Sequence, residues 1–186
     1  MGGVNRGARS KQGNITGVIH ESFVVDVQVD DLITDLVITR GNDLNERKQL
    51  LFDHSDIFVV MPGGYGTLDE LCDLLCAKSL NMKGLVGKPC VIVNIDGYYD
   101  GIAKQFNAAE TERLLYQSVS TNVHIVNSVQ DTIEWISGQE QFCVQSRSTR
   151  VITPQTNGVC RLTGDSSTTA NVAPSSSEPD NAVHLH

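Results

Sequence analysis

The sequence predicts an α/β fold built on a mostly parallel sheet with helices on both faces. Short apolar runs alternate with segments of helical spacing from about residue 15 to 136, the pattern of successive βαβ units. Two of the runs, Ile57-Phe58-Val59-Val60-Met61 and Cys90-Val91-Ile92-Val93-Asn94-Ile95, show no polar face, as strands covered on both sides do. The first leads straight into Pro62-Gly63-Gly64-Tyr65-Gly66-Thr67-Leu68-Asp69-Glu70. Three glycines there let a ligand approach the backbone closely before a helix begins.

Taken in order, Met1 to Gly13 is small and basic and is expected to hold a short helix. Ile15–Ile19 reads as a strand, and Phe23, Val24, Val25 and Val27 as weakly extended chain. A polar turn at 30–35 precedes a strand at Leu36–Thr39. Asn45 is placed to cap a helix running to His54. After the strand at 57–61 and the glycine turn, a helix is expected from Thr67 to about Leu80. Gly84, Gly87 and Pro89 interrupt the pattern before the strand at 90–95. Tyr98 to Ala109 reads as helix and Val123–Val126 as strand. Ser128 is placed to cap a last helix, Val129 to Ile136, which carries the only tryptophan, Trp135.

These elements make one domain over residues 1–140. From Gln145 to His186 Ser, Thr, Asn, Pro and Gly dominate and apolar residues stand alone. Such a stretch buries too little surface to offset its chain entropy, so a disordered tail is expected over 145–186.

The formal net charge of −8 argues against a protein that coats nucleic acid through its phosphates. No apolar run approaches the ~20 residues a membrane helix needs, and the first residues lack the apolar core of a secretory signal. The five cysteines, 72, 76, 90, 143 and 160, read as thiols in a reducing compartment, so a cytoplasmic protein with access to the nucleus is expected. They and the five scattered histidines form no cluster at metal-ligand spacing, and no metal or cofactor is expected.

The glycine turn is not a P-loop, since no lysine follows Gly66. Nor is it the dinucleotide fingerprint, because Asp69 stands where the third glycine would be. A helix N-terminus after such a turn still favours an anion. Glu70 has two readings. In Thr67-Leu68-Asp69-Glu70 it completes a capping box. Alternatively it is a reactive carboxylate beside a bound phosphate. Arg47 and Lys48 likewise belong either to a solvated helix face or to the ligand edge of the sheet.

Asn45-Glu46-Arg47-Lys48, Ser55-Asp56-Ile57-Phe58-Val59-Val60-Met61 and the Pro62–Glu70 turn together resemble the LONELY GUY family. Asn94-Ile95-Asp96-Gly97-Tyr98-Tyr99-Asp100 and Thr132-Ile133-Glu134-Trp135-Ile136 extend the likeness across about residues 1–138. Family members are cytokinin-activating phosphoribohydrolases, often labelled lysine decarboxylases. Decarboxylation usually requires an electron sink such as pyridoxal phosphate, and no lysine here stands in a recognisable site for one.

The resemblance implies a Rossmann-like fold and a homodimer or larger assembly. It implies hydrolysis of a cytokinin riboside 5′-monophosphate, and of AMP, to free base and ribose 5-phosphate. It places Arg47 and Glu70 as the catalytic pair. Lys48, Gly63, Gly64, Tyr65, Gly66 and Thr67 fall at substrate-contacting positions. The family carries a further strand, helix and strand ahead of the position of Met1, so an incomplete N-terminal entry to the sheet is expected. A non-catalytic nucleotide- or cofactor-binding protein, or an inactive shortened paralogue, is the alternative. His20 stands at a usual proline, Leu44 at a usual methionine, and Cys76-Ala77-Lys78-Ser79 at a usual Thr-Trp-x-Gln.

Overall fold

A computed structural model of the chain describes residues 2–23, 30–82 and 84–139, and the backbone of 160–163. Helices α1 (Gly2–Ser10), α2 (Asn45–His54), α3 (Tyr65–Ser79), α4 (Asp100–Thr111), α5 (Val119–Asn122) and α6 (Val129–Ser137) alternate with strands. The strands are β1 (Thr16–His20), β2 (Asp35–Thr39), β3 (Phe58–Val60), β4 (Cys90–Val93), β5 (His124–Val126) and β6 (Cys160–Thr163). The α/β alternation expected from the sequence is therefore present. No helix among the described residues is long and apolar enough to cross a membrane.

The strands hydrogen-bond as two three-stranded sheets, ordered β1-β2-β6 and β3-β4-β5. Pairing is parallel between β1 and β2, with Thr16 opposite Asp35 and His20 opposite Thr39. It is parallel again from β3 to β4 and from β4 to β5, where Phe58 faces Cys90 and Val91 faces His124. Only β6 runs antiparallel, with Thr163 opposite Asp35. The expected tail over 145–186 otherwise lies outside the described residues, as do Val24, Val25 and Val27.

β4 is the middle strand of its sheet, and all four of its residues are buried. Its β-branched run suits a strand covered on both faces. β3 departs from that expectation, for Val59 is 42% exposed and Met61 39%. Side chains alternate between the two faces of a strand, so Val59 and Met61 point to the same side, and that side is open to solvent. The core forms where Phe52 of α2 and Leu71 and Leu74 of α3 meet Ile92 of β4, Leu85, Tyr99 and Val123. Phe52 and Phe58 pack edge to face with ring centres 5.8 Å apart, a favoured aromatic geometry.

Two caps differ in outcome. Ser128 caps α6 as expected, its hydroxyl accepting from the Asp131 N–H at 3.0 Å. Asn45 does not cap α2. It is the first helical residue, and its own N–H is taken by the Asp43 carboxylate at 2.9 Å. An acid two residues earlier thus satisfies a donor the helix leaves open.

Cys90 lies at the head of β4 and is 2% exposed. Burial pushes its thiol up to about 12, because a thiolate would lose its hydration there. Cys76 is exposed. Alkylation of the native protein at pH 9 should therefore label Cys76 and spare Cys90, as read by peptide mass spectrometry, with Cys90 labelled only in denaturant. Native labelling of Cys90 at a rate equal to that of Cys76 would contradict this burial.

Candidate functional site

Parallel strands deliver the chain to the carboxyl edge of their sheet, where open α/β folds gather ligands. β3 ends at Val60, and the glycine turn follows at that edge. Its conformation is fixed from the neighbouring strand. Beyond β4, the Tyr98 hydroxyl donates to the Gly63 carbonyl at 2.8 Å, and the Tyr99 hydroxyl donates to the Met61 carbonyl at 2.7 Å. Tyr99 is itself held by its N–H, which donates to Asn94 Oδ1 at 2.6 Å. Asn94 in turn donates to Asp100 at 2.9 Å and to Asn127 at 3.2 Å. Burial also pushes the Tyr99 phenol above its ordinary value, which keeps it a neutral donor.

The turn is tight where Gly63 meets Thr67. A Cβ added at Gly63 would lie 2.1 Å from Thr67 Oγ1, whereas one at Gly64 would meet nothing within 4 Å. Gly64 is the residue that precedes α3, and the helix starts at Tyr65. That start is two residues earlier than expected, and it removes the capping-box reading. Thr67 is the third helical residue and makes no cap bond, while Glu70 lies in the second turn. The first-turn N–H groups of Tyr65, Gly66 and Thr67 are those a helix leaves open. Tyr65 is 94% exposed and stands in solvent beside them.

Glu70 is instead bound by Arg47, whose Nη1 donates to Glu70 Oε1. The same guanidinium donates through Nε to the Val18 carbonyl of β1 at 3.1 Å. One planar cation thus joins β1, α2 and α3, a use that depends on the fixed fork of arginine donors. A charge-assisted bond is worth about 1.5–3 kcal/mol, against about 1 kcal/mol for a cap. The carboxylate therefore goes to the arginine. Side-chain exposures of 21% for Arg47 and 31% for Glu70 leave the pair accessible from the edge of the sheet.

Lys48 behaves differently from its neighbour. Its ammonium lies 3.3 Å from the Asp69 carboxylate and 3.0 Å from that of Asp73. The Asp73 hydrogen bond holds Lys48 above the ordinary lysine value, burial pulls the other way, and Asp69 adds to the rise. Arg47 and Glu70 are thus brought together as the sequence suggests. Lys48 reaches the same helix but serves two other acids. His20 is buried, its Nε2 lying 3.1 Å from the Gly41 carbonyl and its Nδ1 accepting from the Ser22 N–H at 3.2 Å. Both of its ring nitrogens are thus satisfied by backbone.

Sequence reasoning missed the two tyrosines and the Val18 carbonyl. The tyrosines had a signal, because Asp96-Gly97-Tyr98-Tyr99 follows the strand that neighbours the glycine turn. A backbone acceptor such as Val18 leaves no mark in side-chain identity.

A protein-family model described as "Possible lysine decarboxylase" matches residues 1–136. The cytokinin riboside 5′-monophosphate phosphoribohydrolase of Mycobacterium tuberculosis is 34% identical over 133 residues, covering 72% of this chain and 68% of that protein. A probable enzyme of the same name from Arabidopsis thaliana is 28% identical over 79% of this chain and 69% of its own length. The phosphoribohydrolase of Rhodococcoides fascians is 29% identical over 72% of this chain and 65% of its own. The chain thus spans about two thirds of each of these relatives.

If Gly63 is small because Thr67 occupies the space, Gly63→Ala should lower thermal stability by about 1–3 kcal/mol, the usual cost of overpacking. Gly64→Ala should leave the melting temperature within a degree or so, as surface changes away from special contacts do. Equal melting temperatures for the two variants would refute the close approach.

Proposed function

This chain belongs to the LONELY GUY family, and we propose that it hydrolyses the N-glycosidic bond of a cytokinin riboside 5′-monophosphate, and of AMP, releasing free base and ribose 5-phosphate. The observation that carries this reading is the Arg47–Glu70 ion pair beside the glycine turn. The names of the curated relatives support the substrate class.

Breaking the C1′–N9 bond leaves the electron pair on the base and positive charge on the ribose ring. A carboxylate held ready at that charge lowers the barrier, since it need not reorganise as the charge develops. Glu70 fills that role and accepts the proton of the water that adds to C1′, and that proton passes on to the departing base, which leaves neutral. Arg47 fixes the carboxylate and is itself fixed by the Val18 carbonyl. The 5′-phosphate takes the open N–H groups at the start of α3, where the helix dipole favours an anion. Held there, it orients the ribose over the reacting pair. Lys48 acts at one remove, offsetting part of the negative charge of Asp69 and Asp73 near the phosphate.

We take the assembly to be a homodimer or larger. Besides the family, an exposed apolar stretch supports this, with Leu114 75% and Tyr116 83% exposed. They border a cavity of about 320 Å³ whose other walls include Leu75 and Phe106, an apolar surface of the kind copies of a chain cover. Sedimentation of the wild type should give at least twice the 20.2 kDa chain mass. Leu114→Glu with Tyr116→Glu should give a monomer. A monomeric wild type would end this part of the reading.

Purified protein incubated with N6-isopentenyl-AMP should release the base, measured by liquid chromatography. Glu70→Gln should cut the rate by about 10²–10⁴-fold, the range for positioned acid–base groups. Arg47→Lys, which keeps the charge but cannot bridge Val18 and Glu70 together, should lower kcat more than it raises KM. Absence of base release from wild type, or unchanged release by Glu70→Gln, would sink the proposal.

A further inference from the structure

A second cavity, of about 230 Å³, opens at the other edge of the β3-β4-β5 sheet. The three strands are parallel. The glycine turn follows the end of β3, whereas this cavity is walled by Lys88, Pro89 and Cys90 at the start of β4 and by His124 at the start of β5. Lys88 lines it with its ammonium held by the Phe52 carbonyl at 2.7 Å. The lining also includes Lys78 and His124 and, among the described residues, no acid. That is unexpected on a chain of net charge −8. Ser120 and Thr121 add hydroxyls that also bond Ser118 Oγ, at 2.9 and 3.0 Å, and Asn122 adds an amide that also donates to the Ser118 carbonyl at 3.4 Å.

Lys78 is the telling residue. It is 6% exposed, and buried ammonium groups are costly unless compensated. Its Nζ donates to the Lys88 carbonyl, but an ammonium carries three donors. Burial lowers its proton affinity, and a nearby anion would raise it again. Hydrolysis at Glu70 makes no use of Lys78. The cavity is smaller than the roughly 300–1,000 Å³ of sites that enclose drug-sized ligands, so it suits an ion or a small head group rather than a nucleotide.

We propose that this cavity is a second binding site, for a phosphate-type oxyanion, with Lys78 as its principal ligand. The oxyanion oxygens accept from the Lys78 ammonium and from the hydroxyl and amide groups at the mouth. The site is separate from the Arg47–Glu70 edge and does not depend on the reaction proposed there.

Trp135, the only tryptophan, also lines this cavity. It stacks on His124 with ring centres 5.5 Å apart and planes 5° from parallel. Its fluorescence therefore reports on this site and not on the glycine turn. The full chain is titrated with inorganic phosphate and, separately, with methyl phosphate, at ionic strength held constant with chloride. A saturable fluorescence change is expected, retained in Arg47→Ala and weakened at least tenfold in Lys78→Met. Should Lys78→Met fail to fold, Thr121→Glu places a carboxylate at the exposed rim and should abolish the change. Response to both probes identifies a site for phosphate esters, and response to inorganic phosphate alone a site for the free ion. No saturable change with either probe, or a change lost in Arg47→Ala but kept in Lys78→Met or Thr121→Glu, overturns the proposal.

Discussion

The guanidinium of Arg47 is the constraint on which the site depends. It holds a backbone carbonyl of β1 in one sheet and a carboxylate on α3, which follows β3 in the other. The two sheets share no ladder among the described residues. Arginine suits the task because its donors lie in one plane at fixed angles, so binding Val18 also aims the group at Glu70. Glu70 lies in the second turn of α3, too far in to cap it, and α3 begins at Gly64 and Tyr65 without any side-chain cap. A glycine turn and a bare helix start are thereby left for another molecule.

The glycine turn is shaped by the strand beside it. Tyr98 and Tyr99 belong to the segment after β4, yet they hold carbonyls on either side of Pro62. Their own anchor is Asn94, whose amide spans Tyr99, Asp100 and Asn127. This is a chain of satisfied polar groups at the ends of neighbouring parallel strands. Such networks hold a unique geometry when every member is paired. No buried side-chain polar atom among the described residues lacks a partner.

Much of this was legible in the sequence. The strand positions followed from apolar runs, because burial on both faces of β4 requires apolar residues at every position. Glu70 and Arg47 were legible as a pair only through the family pattern. Spacing alone favoured the capping box for Glu70, and overturning it required the true start of α3. The exposure of Val59 was hidden because a strand with one face open and a strand covered on both can carry the same residues. The division into two sheets was hidden too, since hydrogen bonding between strands is a property of backbones. Lys78 reads in the sequence as a surface lysine on a helix. Its burial comes from packing against the chain entering β4, ten residues on.

The neutralisation of α3's acids bears on how substrate arrives. Asp69, Glu70 and Asp73 lie within about two helical turns of the place proposed for a phosphate. Lys48 and Arg47 oppose them, so three negative charges meet two positive ones and the cluster keeps one excess negative charge. Beyond it, the whole chain is negative. A dianionic phosphomonoester therefore meets a weakly repulsive surface until it is close enough to find the helix N–H groups. Dissolved salt screens such long-range repulsion within about 10 Å at 0.1 M while leaving contact hydrogen bonds largely intact. Encounter should thus quicken as salt is added, the reverse of proteins that draw phosphates in through a basic field.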